Sequence, residues 1–273
     1  MRRPIPFAVQ KNRVLVPVGK PCLFGCRYCY TRGTDIEISR LSVEDILADF
    51  RQFACEASFE TIQIGYDSDP FSQPERGIAM LIQLARMQKH VNFSTKAVLG
   101  DALLDTLKTI RNSMDAVDKT LSALVSFSCW DSASFIEPRT PSSQERMQTV
   151  ARLKGIGIPV FISVRPILPN IHDCEYERLI EEGIHAGCDG FILGPLYTDA
   201  KKRFTRFIPS TLLETVPSET GSVSWSPHTP IWTRYEDPRR LQRLLAMIEQ
   251  KGGRTFLSSA DAMTLVHQKE KVA

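Results

Sequence analysis

The chain has 273 residues, 42% of them hydrophobic, and its 34 Lys+Arg against 31 Asp+Glu leave a net charge of only +3. That length can bury the core of one large α/β domain or two small ones, and the balanced charge is not the footprint of a protein permanently coated in nucleic acid. Seven cysteines, an odd number without regular spacing, argue against a disulfide framework and for thiols kept reduced.

The N-terminal stretch "MRRPIPFAVQKNRVLVPVG" is basic, but Pro4, Pro6, Gln10, Lys11 and Arg13 interrupt its apolar run. It is neither a secretory h-region nor a membrane span, so a soluble cytoplasmic protein with no membrane partner is expected. Short β-branched runs then follow one another along the chain. "RVLVPVG" (13–19), "ETIQIGY" (60–66), "VNFSTKA" (91–97), "SALVSFSC" (122–129), "IPVFISVRP" (158–166) and "DGFILGP" (189–195) each predict a strand. Between them, amphipathic segments predict helices over 42–56, 75–89, 101–112, 142–155 and 173–187, the first opened by Ser42 as N-cap with Asp45 three residues on.

This alternation is the pattern of βα units and a parallel sheet, an α/β fold built either as an incomplete (β/α) barrel or as an open doubly wound sheet. Residues 200–273 read differently, as a C-terminal extension packed on a core of residues 1–199. They hold a basic segment "KKRFTRF" (201–207), a Ser/Pro/Thr-rich loop with Trp225 and Trp232, an amphipathic helix near 238–251, and a final strand and helix.

The chemistry is concentrated in "GKPCLFGCRYCYTRG" (19–33), where Cys22, Cys26 and Cys29 fall within eight positions. The i, i+4, i+7 spacing would put three small apolar side chains on one face of a core helix, but Pro21 and Gly25 oppose a helix there. A structural zinc site needs four ligands, usually as paired units; the first histidine is His90 and no second cysteine pair exists. A [4Fe–4S] cluster held by three thiolates keeps one iron open to a cofactor or substrate, and Gly25 permits the tight turn. That reading explains the missing ligand.

"CLFGCRYC" resembles the C-x3-C-x-Φ-C signature of the radical S-adenosylmethionine (radical SAM) enzymes, with Tyr28 at the aromatic position. "GYDSDPFSQPE" (65–75), "STKA" (94–97), "SFSCWD" (126–131), "EPRTPSSQERMQTVARLKGIGIPV" (137–160) and "RPILPNIHD" (165–173) resemble successive segments of the spore photoproduct lyase-like branch. The likeness covers about residues 12–198. It implies a partial (β/α)6 TIM-type barrel with Cys22, Cys26 and Cys29 as ligands of a [4Fe–4S] cluster. It further implies S-adenosylmethionine on the open iron, cleaved reductively to a 5′-deoxyadenosyl radical, and an electron donor such as flavodoxin or ferredoxin.

The resemblance also suggests roles at the strand ends. Tyr28 would pack against the adenine; the competing reading is an ordinary core tyrosine. Gly65 would let backbone approach a ligand, and Asp67, Ser68 or Asp69 could accept from the methionine ammonium, although the superfamily's Gly-Gly-Glu motif is absent and a loop-capping Asp is the alternative. Lys96 and Arg165 end their strands facing the barrel mouth or solvent. Arg165 could pair with the methionine carboxylate or simply form a structural salt bridge.

Ser126 and Ser128 would share one strand face with cofactor-binding potential. Cys129 sits where the branch places a hydrogen-atom donor, against the preferred reading of a buried, inert cysteine. Cys55, Cys174 and Cys188 read as core thiols, and His172 and Asp173 as a helix cap.

Substrates remain open between a nucleic acid or nucleotide and a small molecule or peptide. Lys201, Lys202, Arg203 and Arg206, interleaved with Phe204 and Phe207 and joined by Trp225 and Trp232, would suit the first, with bases stacked on aromatic faces. The bland alternative is a solvated basic face with its aromatics packed inward. A third reading, from a different class, is a non-catalytic iron–sulfur or zinc module for binding or sensing.

Overall fold

The computed structural model describes residues 5, 7, 9–19, 22–33, 41–223 and 231–269. Pro4, Pro6, Pro21 and Trp225, named above, lie outside them. The fold opens with a hairpin in which β1 (Val9–Gln10) and β2 (Arg13–Val16) pair antiparallel around Lys11 and Asn12. Both turn residues have positive φ, 47° and 62°, the conformation of a tight two-residue hairpin turn.

From β2 onward the sheet is parallel. β2, β3 (Thr61–Ile64), β4 (His90–Thr95), β5 (Leu121–Phe127), β6 (Val160–Val164) and β7 (Gly190–Leu193) lie side by side in chain order. The intervening helices are α1 (Val43–Glu56), α2 (Pro74–Ala85), α3 (Asp101–Asp115), a single turn α4 (Ala133–Ile136), α5 (Ser143–Gly155) and α6 (Asp173–His185). The result is the expected curled, partial TIM-type barrel with its six parallel strands in sequence order. Observed strands are shorter than the predicted runs for a local reason: Pro17 ends β2, and Pro159 and Pro166 bracket β6, each lacking the N–H that a ladder needs.

Helix starts follow their caps. Ser42 and Asp45 form a capping box at α1, as Ser142 and Glu145 do at α5, and His172 caps α6 by accepting from the Cys174 N–H. Alternate residues of the strands, among them Val14, Val16, Ile62, Ile64, Phe93, Val125, Phe127, Ile162 and Leu193, are buried beneath these helices. The other face is mixed. It carries Gln63, Asn92, Ser94, Ser122, Ser126 and Ser163 beside Leu124, Phe161 and Ile192.

The tail returns to that inner face. After β8 (Leu196–Asp199), α7 (Ser210–Glu214), β9 (Ser218–Gly221), β10 (Trp232–Tyr235) and α8 (Pro238–Gln250), β11 (Thr255–Phe256) adds to β7 as a further parallel strand. Helix α9 (Ser259–Lys269) then packs Ala262, Met263 and Val266 onto Leu124, Phe161 and Ile192. Arg13 Nη1 is 2.6 Å from Gln63 Oε1 and also donates to Ser259 Oγ, fastening α9 to the start of the sheet. β8, β10 and β9 form a separate antiparallel sheet. Among the described residues no helix is long and apolar enough to cross a membrane.

Candidate active site

The three-cysteine loop leaves the C-terminal end of β2, the end at which barrel folds carry their chemistry. Gly25 turns it at φ 67°, the left-handed region that favours glycine, with the Arg139 guanidinium packed over the turn. Cys26 is buried, Cys22 and Cys29 half-buried, and the Cys29 N–H donates to Cys26 O at 3.2 Å. Burial, reinforced by the Glu137 charge and opposed by Lys96, pushes the Cys26 thiol up to about 12; burial raises Cys22 as well. Cys26 is in electrostatic reach of both other thiols.

This donor set fits a [4Fe–4S] cluster with one open iron. The donor set is three thiols, with Cys26 in electrostatic reach of the other two; among the described residues no group of three or more His, Cys, Asp or Glu side chains converges on a single ion. The thiolates of a cuboidal cluster bind three different irons and need no such convergence.

The two aspartates of "GYDSDP" hold the strand ends together. Asp67 is half-buried and accepts from the Val18 N–H at 2.9 Å and the Gly19 N–H at 3.4 Å, which fixes the start of the cysteine loop against the end of β3. Burial pushes its carboxyl up to about 6 despite those donors. Asp69 accepts from Phe71 N (2.9 Å), Thr95 Oγ1 (2.8 Å) and Lys96 N (2.6 Å), tying the turn after β3 to the end of β4. Ser68 between them is buried. Gly65, at φ 90°, meets protein rather than open space: a Cβ there would lie 2.4 Å from Ser94 O.

Tyr28 and Lys96 are brought together by a residue that the sequence reading did not single out. Glu137, fully buried, accepts from the Tyr28 hydroxyl, lies 3.1 Å from Lys96 Nζ, and lies 2.7 Å from Arg146 Nη1. Burial would push its carboxyl up, but Arg146, Lys96 and the Tyr28 hydrogen bond outweigh that and hold it at about 2. Lys96 Nζ is also 5.9 Å from the centre of the Tyr28 ring. Sequence carried one signal of this: Arg146 shares the spacing of Val150 and Leu153, the buried face of α5.

Arg165 projects from the end of β6 on the inner-face parity of Ser163 and Phe161. Its Nη2 donates to Leu257 O at 3.0 Å, and its buried Nε has no hydrogen-bond partner, an orphaned donor suited to a carboxylate. Ser126 Oγ is 3.1 Å from Ser94 Oγ on the same inner face. Ser128 lies beyond the end of β5 and is fully buried, 3.5 Å from the equally buried Cys129 Sγ. Burial pushes the Cys129 thiol up to about 12.

Two expectations are corrected. Cys55 and Cys174 are exposed, so they are not core thiols, whereas Cys188 is half-buried and packs against the core. Cys55 lies off the α1 face formed by Val43, Ile46, Leu47 and Phe50, and Cys174 off the α6 face formed by Tyr176, Leu179, Ile180 and Gly183. Nor do Phe204 and Trp232 offer faces to bases; Phe207 is half-buried and Trp225 lies outside the described residues. Phe204 and Trp232 are buried and stacked on each other (6.1 Å, 22°), and Trp232 meets Tyr30, next to Cys29, edge-on at 6.2 Å. Lys201, Lys202 and Arg206 are exposed, while Arg203 is paired with Asp199 at 2.6 Å. A cleft of about 380 Å³ beyond β6 and β7 is floored by Ile167, Ile171 and Val216. Its charges are spent on one another, as in Arg240–Asp173 at 2.6 Å.

A thiol triplet at the mouth of a partial (β/α) barrel defines the radical SAM class. The Radical SAM superfamily model matches residues 16–183, and the chain belongs to that superfamily. Its fold is that of spore photoproduct lyase: a cysteine-to-serine mutant of that enzyme superposes with a TM-score of 0.68 at 17% identity, covering 91% of this chain and 76% of the other. The same enzyme complexed with dinucleoside spore photoproduct gives 0.66 at 18% identity, over 90% and 76%. The radical S-adenosylmethionine methyltransferase TsrM from Kitasatospora setae, with tryptophan substrate and a SAM analogue bound, gives 0.58 at 9% identity, over 92% and 55%. Uncharacterized proteins of Mycobacterium tuberculosis and Mycobacterium bovis are 22% identical over 200 residues, 67% of this chain. The chain spans 58% of the length of those relatives.

Proposed function

We propose that this protein is a radical SAM enzyme that abstracts hydrogen from its substrate, and that Cys22, Cys26 and Cys29 hold its [4Fe–4S] cluster. When bound, the cluster and S-adenosylmethionine supply an electron and a cleavable sulfonium bond, giving methionine and a 5′-deoxyadenosyl radical. The chain's own residues bind and orient. Arg165 offers its unpartnered Nε to the methionine carboxylate, and Ser94 and Ser126 line the inner face with hydroxyls. Asp67 and Asp69 fix the strand ends around them. α9, packed on the inner face, excludes water from the barrel floor. The observation that carries this reading is the set of three thiols on the loop that leaves the C-terminal end of β2.

The test is anaerobic reconstitution, reduction with dithionite, and detection of 5′-deoxyadenosine. Replacing all three cysteines by serine should abolish both iron uptake and product. Product formation surviving that change would refute the reading and leave a module of another kind.

For the substrate we propose a nucleic acid or nucleotide, on the fold shared with spore photoproduct lyase and on exposed Lys201, Lys202 and Arg206 as phosphate partners. The burial of Phe204 and Trp232 removes base stacking at those two rings, so the proposal rests on phosphate contacts and predicts binding that falls steeply with salt. Titration of single-stranded and duplex DNA at two salt concentrations checks it; no binding at low salt would redirect the search to small molecules and peptides.

A further inference from the structure

We propose that Glu137 is the fixed counter-charge of the cluster site, anchoring Tyr28 and Lys96 against the cysteine loop and setting how readily the cluster accepts its electron. This rests on the reading that Cys22, Cys26 and Cys29 hold a [4Fe–4S] cluster. The loop is gripped from one segment, residues 135–139. Arg27 N donates to Ile136 O at 2.9 Å, Arg27 Nε donates to Phe135 O at 2.7 Å, and the Arg27 guanidinium lies 4.0 Å from the Phe135 ring centre. Arg139 covers the Gly25 turn. At the centre of that grip Glu137 takes the hydroxyl of Tyr28, the residue immediately before Cys29.

The charge balance gives the consequence. Lys96 and Arg146 are two cations against one carboxylate, with side-chain exposures of 13%, 0% and 0%. Water therefore screens them little, and the charges of Glu137 and Lys96 both act on Cys26. Reduction adds one electron to the cluster and moves no proton, so each positive charge nearby favours it and each negative charge opposes it. Removing the Glu137 charge leaves both cations unopposed. The cluster then reduces more easily and becomes a weaker electron source for cleaving the sulfonium bond.

The experiment is a dithionite redox titration, followed by electron paramagnetic resonance, of reconstituted full-length protein without S-adenosylmethionine. Glu137→Gln should raise the reduction equilibrium constant at least about tenfold, which is about 59 mV for one electron. Glu137→Asp, which keeps the charge, should stay close to wild type. Lys96→Met, which leaves Glu137 paired with Arg146, should move the constant the opposite way by a similar factor and serves if Glu137→Gln does not fold. Glu137→Gln or Lys96→Met titrating with the wild-type potential at wild-type iron content would overturn the proposal. Wild-type protein that takes up no cluster would instead overturn the reading beneath it.

Discussion

Replacing Arg146 by Met tests whether the buried ion group holds the fold as well as the loop. The guanidinium is fully buried, 2.7 Å from Glu137 Oε2 and 2.8 Å from Ser126 O, and 4.8 Å from the centre of the Phe127 ring. Met keeps the volume but leaves the carboxylate short of its nearest cation, and breaking a buried pair from one side costs about 3–5 kcal/mol. The carboxylate, on which Lys96 and Tyr28 also act, points the same way. Burial pushes Glu137 up, Arg146 leads the opposing pull, and the net is about 2 against an ordinary 4.5. At about 1.4 kcal/mol per pH unit this is on the order of 3 kcal/mol.

Because the folded value is depressed, that stability is present above pH 4.5 and is lost as pH falls through 2. Urea unfolding of the metal-free protein, followed by circular dichroism at pH 7, 4.5 and 3, should show a large loss at pH 7 for Arg146→Met and a flatter acid limb. Glu137→Gln with Arg146→Met removes both charges and should recover most of the loss. A cost below about 1 kcal/mol at pH 7, or a double variant as unstable as the summed singles, would refute the reasoning.

Two other changes report on the strand ends and the tail. Asp67 is raised to about 6 from 3.8 by burial, so its contribution is full below pH 3.8 and is lost as pH rises through about 6. Asp67→Asn keeps an acceptor for the loop without burying a charge, and its unfolding free energy should differ less between pH 5 and 7.5 than the wild type's. Asp67→Ala, which strands the Val18 and Gly19 N–H groups, should cost about 1–3 kcal/mol for each group left unpaired. Trp232→Ala removes the ring packed between Tyr30 and Phe204 and should destabilise by about 3–5 kcal/mol, read as a lowered Tm. Unchanged Tm with lost DNA binding would return Trp232 to the role of a base-stacking face.

The sequence made the frame legible because its signals are local. β-branched runs alternate with amphipathic helices, and prolines punctuate the strands, so the six parallel strands and the caps at Ser42 and His172 could be read directly. The cysteine triplet was equally plain because its ligands lie within eight positions. What stayed hidden depends on contacts across long separations. Glu137 reaches Tyr28 over 109 positions, and nothing in "FIEPR" says that the carboxylate is buried. The inward stacking of Phe204 on Trp232 was one of two readings that composition could not separate. Cys55 and Cys174 were misjudged because a cysteine's general preference for the interior was set above its position on the helix.

The tail changes what the barrel can admit. A half-open sheet of six strands would expose its inner face from floor to mouth, yet α9 covers Leu124, Phe161 and Ile192, and Ser122 Oγ donates to Met263 Sδ at 3.0 Å. Arg13, Gln63 and Ser259 close the same floor with hydrogen bonds. The inner face left for ligands is the rim at the strand ends, where Ser94, Ser126, Lys96 and Arg165 stand. Arg165 also holds Leu257 O, just before α9, so the side chain offered to the methionine carboxylate positions the plug as well. Under the role proposed for Arg165, occupancy of the cofactor site and seating of the C-terminal helix would be linked through one guanidinium.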